Sequence, residues 1–192
     1  MTQGWARLEY PCRHRVEGTM HATSRFLVLT GLLLGGCLAS AAAEEAQTAP
    51  LFRIERSKNA NVVQYDVQLR PDGRLDPKEP VVAYWIRLAK DGQRKELSWV
   101  QHRFAYGFDT RHDRDTGVAT LRMKAGLDRE IRVVPGEEGY RAELLIDGRP
   151  AYVDRIFIQS IEGGVLPEVE YIDFWGTDVE TKEPRYERFG PS

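Results

Sequence analysis

Tyr140-Arg-Ala-Glu-Leu-Leu-Ile-Asp-Gly-Arg-Pro-Ala-Tyr-Val-Asp-Arg-Ile-Phe-Ile-Gln-Ser-Ile161 is the stretch whose reading decides the fold. Tyr140, Ala142, Leu144 and Ile146 alternate with Arg141 and Glu143, the period of two that belongs to a strand with one buried face. Asp147-Gly148 divides this run from the next one, Ala151 to Ile161. An Asp-Gly pair between two alternating runs favours a type I′ turn, in which both central residues take positive φ. The stretch reads as an antiparallel hairpin.

The same alternation extends in both directions. Phe52 and Ile54 share one side of a strand, with Arg53 and Glu55 on the other. Ser57 to Asn61 is turn chemistry, because Ser and Asn side chains bond nearby backbone groups. Val63, Tyr65, Val67 and Leu69 then point inward and Gln64, Asp66 and Gln68 outward, until Pro71-Asp72-Gly73 breaks the run. Val81 to Leu88 is apolar on both faces, which predicts a central strand covered on both sides. Lys90 to Gln93 is a turn, and further strands fall at Tyr106–Arg111, Val118–Lys124, Arg129–Val134 and Val169–Trp175.

One helix is expected. Ser98 and Gln101 fit a capping box, with Leu97, Val100 and Phe104 at helical spacing and Gly107 placed to end the helix in the left-handed region. The whole is all-β: an antiparallel β-sandwich or barrel-like fold of about nine strands with one short helix. Residues 51–181 form a single β domain, and the polar segment 182–192 reads as a C-terminal tail that wraps the surface or frays.

Residues 1–43 read as a leader. Phe26 to Ala43 is an apolar run preceded by Arg25, the length of a signal core and short for a membrane span. Met20 is the conventional start, leaving Met1–Thr19 as an upstream extension. Leu34-Gly-Gly-Cys37 resembles a bacterial lipobox, which makes Cys37 a lipidation candidate; the alternative is a secretory signal cut after Ala41-Ala-Ala43. The chain is expected to be exported, either periplasmic or lipid-anchored to the bacterial cell envelope, with residues 44–50 as a flexible tether. Membrane contact is expected only through that anchor.

Composition narrows the function. The chain has 192 residues, of which 42% are hydrophobic and 29% charged, ordinary for a globular domain. Its net charge is −2, and beyond the leader the balance is −4, which argues against a nucleic-acid partner. Both cysteines, Cys12 and Cys37, precede the domain, so the body offers no thiolate for zinc or for nucleophilic attack.

Arg53, Arg56, Ser57, Lys58, Asn59 and Asn61 form the densest run of hydrogen-bonding side chains and the ligand-binding candidate. Guanidinium forks and amides read carboxylates, phosphates or sugars, whereas a polar turn uses the same groups on its own backbone. Asp109, His112, Asp113 and Asp115 resemble part of a calcium loop but lack its terminal Glu, so they read as a solvated hairpin turn and no metal site is assigned. His102 lacks the motifs that accompany a catalytic histidine. Glu168, Glu170 and Asp173 beside Tyr171 and Trp175 suggest the carboxylates of a glycan hydrolase, although such groups also arise on an outward strand face. Trp85, Trp99, Trp175 and Tyr152 are expected in or at the edge of the core.

Arg56-Ser-Lys-Asn59 with Asn61, Tyr65-Asp66, Tyr84-Trp85, Leu97-Ser98 and Tyr106-Gly107 resemble the bacterial domain of unknown function 4833 family, over about Leu51 to Thr181. The resemblance implies an exported bacterial domain and supplies no catalytic residue. The resulting expectation is a cell-envelope β domain that binds a small-molecule or envelope partner, or is structural, without catalysis or cofactor. The rival is an envelope hydrolase acting on a glycan or similar substrate through carboxylates.

Overall fold

A computed structural model describes residues 47–57, 59–124, 129–161 and 168–190. The leader, Cys37 and Lys58 lie outside the described residues. Among the described residues, eleven strands form one sheet curled into a half-barrel. In chain order they are β1 (Gln47–Arg56), β2 (Asn59–Leu69), β3 (Val81–Arg87), β4 (Gln93–Glu96), β5 (Phe108–Asp113), β6 (Val118–Met123), β7 (Glu130–Gly136), β8 (Gly139–Ile146), β9 (Arg149–Ile161), β10 (Glu168–Asp178) and β11 (Pro184–Phe189). A single 3-10 turn (Leu88–Lys90) precedes β4, and the helix α1 (Trp99–Phe104) follows it.

The long strand β9 organises the sheet. One of its edges pairs with β10 from Ala151 to Ile161. Its other edge is shared: Arg149–Tyr152 pair with β8, and Arg155–Ile158 pair with β1. Two wings therefore splay from it, β1-β2-β3-β4 and β8-β7-β6-β5. They curl until Tyr65 of β2 meets Phe108 of β5, ring centroids 5.8 Å apart. The pairing of β1 with β9 is parallel, the one departure from the antiparallel pattern among the described strands. Inside lie Phe52, Ile54, Val63, Tyr65, Leu121, Ile131, Val133, Ile146, Val153, Ile156 and Phe174. Phe52 stacks on Tyr65 at 4.5 Å, and the Tyr65 hydroxyl donates to the Tyr106 carbonyl at 2.8 Å. Burial pushes that hydroxyl well above its ordinary pKa.

The expected hairpin forms as read. Ile146 pairs with Arg149, and Asp147 and Gly148 take φ of 51° and 71°. Ser98 and Gln101 form the capping box, and the Gln101 side-chain oxygen also accepts from the Trp85 indole at 3.1 Å. The helix is thus seated by a polar residue: Val100 and Phe104 are exposed, and so is Trp99, which was expected in or at the edge of the core. Gly107 is needed for a different reason from the one anticipated. It has no positive φ; a Cβ there would lie 1.7 Å from the His102 carbonyl oxygen.

Other boundaries move as well. The expected tether enters β1, where Gln47–Pro50 pair with Leu69–Asp66, because ladder hydrogen bonds come from the backbone and need no apolar side chain. Asn59 and Asn61 belong to β2 rather than to the expected turn, since Arg56 already pairs with Asn59. β3 is not doubly buried: Val82, Tyr84 and Ile86 are only half-covered, and the Tyr84 ring lies 3.7 Å beneath Arg94. The Tyr84 hydroxyl donates to Asp66 at 2.6 Å, which accounts for a buried carboxylate on the face expected to be solvated. Desolvation, then that hydrogen bond, push Tyr84 up to about 12.

The expected C-terminal tail instead contributes β11, which pairs with β10 from Pro184 to Phe189. Its sequence lacks apolar alternation because ion pairs hold it. Arg188 makes two bonds to Asp173 at 2.7 and 2.9 Å, Arg185 reaches Asp178 at 2.9 Å, and Glu187 is bound by Arg129 and by the Asp147 amide. Asp173 and Asp178 are buried. All three acids are held below their usual range: Asp173 by Arg188, Asp178, at about 2, by the Thr181 amide, and Glu187 by Arg129.

A pKa lowered by folding contributes stability that is present above the unfolded value, about 4 for a carboxyl. That stability is lost as pH falls through the folded value. The thermal midpoint is therefore expected to hold down to about pH 5 and to drop steadily toward about pH 2. A midpoint that stays flat to pH 2, followed by circular dichroism, would show that these pairs do not hold β11.

Candidate functional site

Residues on the outer face of β1, β9, β10 and β11 fall into two rows. Arg53 pairs with Arg155, Arg155 with Trp175 and Trp175 with Tyr186; one step along, Glu55, Phe157, Asp173 and Arg188 align. Strand alternation points all of them away from the core, since Ile54, Ile156 and Phe174 are buried between them. Sequence separations of more than a hundred residues thus close into neighbouring side chains.

The side chains form a continuous chain of contacts. Arg53 Nε donates to Glu55 at 2.7 Å, and Arg155 lies 3.8 Å from the other oxygen of the same carboxylate. The Arg155 guanidinium sits 3.7 Å from the Trp175 ring, and Trp175 contacts Tyr186 at 5.5 Å. The Tyr186 hydroxyl donates to Asp173 at 2.9 Å. Arg188, paired with Asp173, lies 3.8 Å from the Tyr171 ring, which in turn neighbours Phe157 at 6.4 Å. Each stacked guanidinium keeps its plane fixed by a ring, which pre-organises its outward N–H groups at little entropic cost.

Asp173 is not placed to act as a general acid. Both oxygens of Asp173 are engaged, and the Arg188 bonds hold it ionised, so it has no proton to give near neutrality. The hydrogen bond to Asp173 raises the Tyr186 hydroxyl above its ordinary value, which keeps it a donor. Glu168 and Glu170 are solvent-exposed.

The binding run anticipated around Arg53 does not converge. Arg53 is on the outer face; Arg56 is on the opposite one, 5.2 Å from the Tyr106 ring and with a buried Nε that has no partner. Ser57 stitches the turn to β9, its amide donating to Ile158 and its hydroxyl accepting from Ser160. Asn59 accepts from the Asn61 amide at 3.0 Å, a local turn bond. Among the described residues of the run, Arg53 alone joins the outer-face cluster, and Lys58 lies outside the described residues. Arg155, Trp175, Tyr186 and Arg188 were not anticipated as partners of Arg53, because their juxtaposition depends on strand register.

The remaining candidates have local work. Asp113 caps its own turn, accepting from the Asp115 and Thr116 amides at 2.9 and 3.4 Å, and Asp109 pairs with Lys124 at 3.0 Å. Those amide bonds lower the Asp113 pKa. Among the described residues, no group of three or more His, Cys, Asp or Glu is placed to hold a metal ion. His102 is exposed, 6.2 Å from Phe108. Trp99 is solvent-exposed, whereas Trp85 is buried in the core.

The fold and this face define an all-β half-barrel domain that presents fixed arginines and aromatic rings on one outer sheet. The chain belongs to the family described as domain of unknown function DUF4833, whose model matches residues 52–188. Neither the curated proteins nor the solved structures yield a match.

Proposed function

We propose that the chain is an exported cell-envelope domain that binds without catalysis, through the outer face around Arg53, Arg155, Trp175 and Arg188. The observation that carries this reading is Arg155 held between Glu55 and the Trp175 ring. Fixed guanidinium edges suit carboxylates, and the flanking rings suit the flat faces of sugars or peptide groups. A cell-wall polymer, which carries glycan and carboxylate-bearing peptide together, combines both chemistries. The export half of the proposal is supported by the apolar run Phe26–Ala43 and, for a lipid anchor, by Cys37.

Co-sedimentation of the full chain with purified cell-wall sacculi tests the proposal. The double substitution Arg155→Ala/Trp175→Ala is expected to weaken binding by at least about tenfold, as loss of a central aromatic and arginine pair does elsewhere. Its thermal midpoint should shift by only a few degrees, since both side chains are half-buried on the outer face and neither belongs to the core. Undiminished sedimentation of the variant sinks the face; a wild-type chain that stays in solution sinks the wall as partner.

A further inference from the structure

A cleft at the other end of β2 from the Asn59 turn has the makings of a second site. It runs between the turn after β2 and the β5–β6 hairpin and encloses roughly 630 Å³. Arg70 and His112 both line it, and each retains a buried nitrogen, Nε and Nδ1 respectively, with no hydrogen-bond partner among the described residues. Unpaired buried donors or acceptors are costly and rare in folded proteins, so two that line one cleft point to a missing partner.

The charge around the cleft indicates what that partner is. Arg74 and Arg114 add two exposed cations to Arg70, against Asp115 as the one lining carboxylate among the described residues. Asp72 pairs with Arg70 at 2.7 Å but engages Nη2, leaving Nε over. The Asp113 carboxylate beside His112 is spent on the turn amides. Leu75 and Tyr140 supply apolar wall. The cleft therefore combines a cationic end with an apolar lining, and its volume is that of a small-molecule site.

We propose that this cleft binds a small organic anion, a carboxylate or phosphate carried on an apolar body, with its oxyanion bonded to Arg70 and His112. The oxyanion accepts from Arg70 Nε and from the imidazole N–H, while Arg74 and Arg114 attract it to the mouth. This site shares no residue with the outer face of β1, β9, β10 and β11, so either can fail alone.

Isothermal titration calorimetry on the full chain with phenyl phosphate, benzoate and uncharged benzyl alcohol tests it. At least one of the two anions is expected to bind, and the stronger one identifies which oxyanion the site takes. Benzyl alcohol should bind at least about tenfold more weakly, because the charge-assisted bonds are lost. His112→Gln and Arg70→Gln should each weaken the bound anion by a similar factor. Arg114→Gln, at an exposed position, keeps the test informative should Arg70→Gln fail to fold. Failure of both anions to bind, equal binding of benzyl alcohol, or unchanged affinity in the folded variants would overturn the proposal.

Discussion

Tyr65→Ala should destabilise the domain by about 3 to 5 kcal/mol, the range for removing a buried aromatic ring. Tyr65 is fully buried and is the point at which the two wings touch: its ring stacks on Phe52 within β1–β2 and meets Phe108 across the opening. Its hydroxyl also satisfies the Tyr106 carbonyl, next to the glycine that brings the chain off α1. The alanine variant loses the ring, opens a cavity and leaves that carbonyl without its donor. Tyr65→Phe separates the parts, since it keeps the ring and should cost only about 1 to 2 kcal/mol for the lost hydrogen bond. Urea unfolding of both variants gives the comparison. A Tyr65→Ala loss no larger than that of Tyr65→Phe would mean that the wings do not depend on this contact.

Gly176→Ala should be nearly as damaging, by a different route. Gly176 sits at a register shift where β10 crosses β9, and a Cβ there would come within 2.2 Å of the Tyr152 carbonyl oxygen and 2.9 Å of the Ile146 side chain. The first of these is backbone and cannot rotate away, so β9 and β10 must separate locally. Forced overpacking of this kind costs about 1 to 3 kcal/mol and sometimes more, and here it also pulls on Trp175, the adjacent residue. The expected result is a lowered unfolding midpoint together with weakened sacculus binding, whereas Arg155→Ala/Trp175→Ala weakens binding at nearly constant stability. An alanine variant as stable as the wild type would show that the strands lie further apart than described.

The contrast between β8 and β11 explains how much of the fold is legible in the chain. Ile146-Asp-Gly-Arg149 carries its conformation in local chemistry, and Ser98 with Gln101 does the same for α1, so both read directly from sequence. The inward sets of β1, β2 and β8 also follow from alternation. β4 and β11 do not, because every β4 residue is exposed and β11 is held through Asp173, Asp178 and Glu187. Each of those acids pairs with an arginine on another element or turn, 15, 7 and 58 residues away, a pairing that apolar alternation does not reveal. The parallel contact of β1 with β9 is non-local in the same way.

The candidate site was legible only in part, for the same reason. Sequence density favoured Arg53 to Asn61, but alternation sends Arg53 and Arg56 to opposite faces and Asn59 turns back on its own strand. What groups Arg53 with Arg155, Trp175 and Tyr186 is a row across four strands. Local crowding in sequence marked a turn, and register across the sheet assembled the surface.

The proposed binding face is tested most directly by indole nitrogen NMR during titration with solubilised disaccharide-peptide fragments of the cell wall. Trp175 lies in the face beneath Arg155, Trp85 of β3 is buried against Tyr106, and Trp99 stands exposed on α1. A saturable shift of the Trp175 indole resonance is expected, while those of Trp85 and Trp99 stay in place. A Trp175 resonance that does not move, or a shift carried by Trp99 instead, would contradict it.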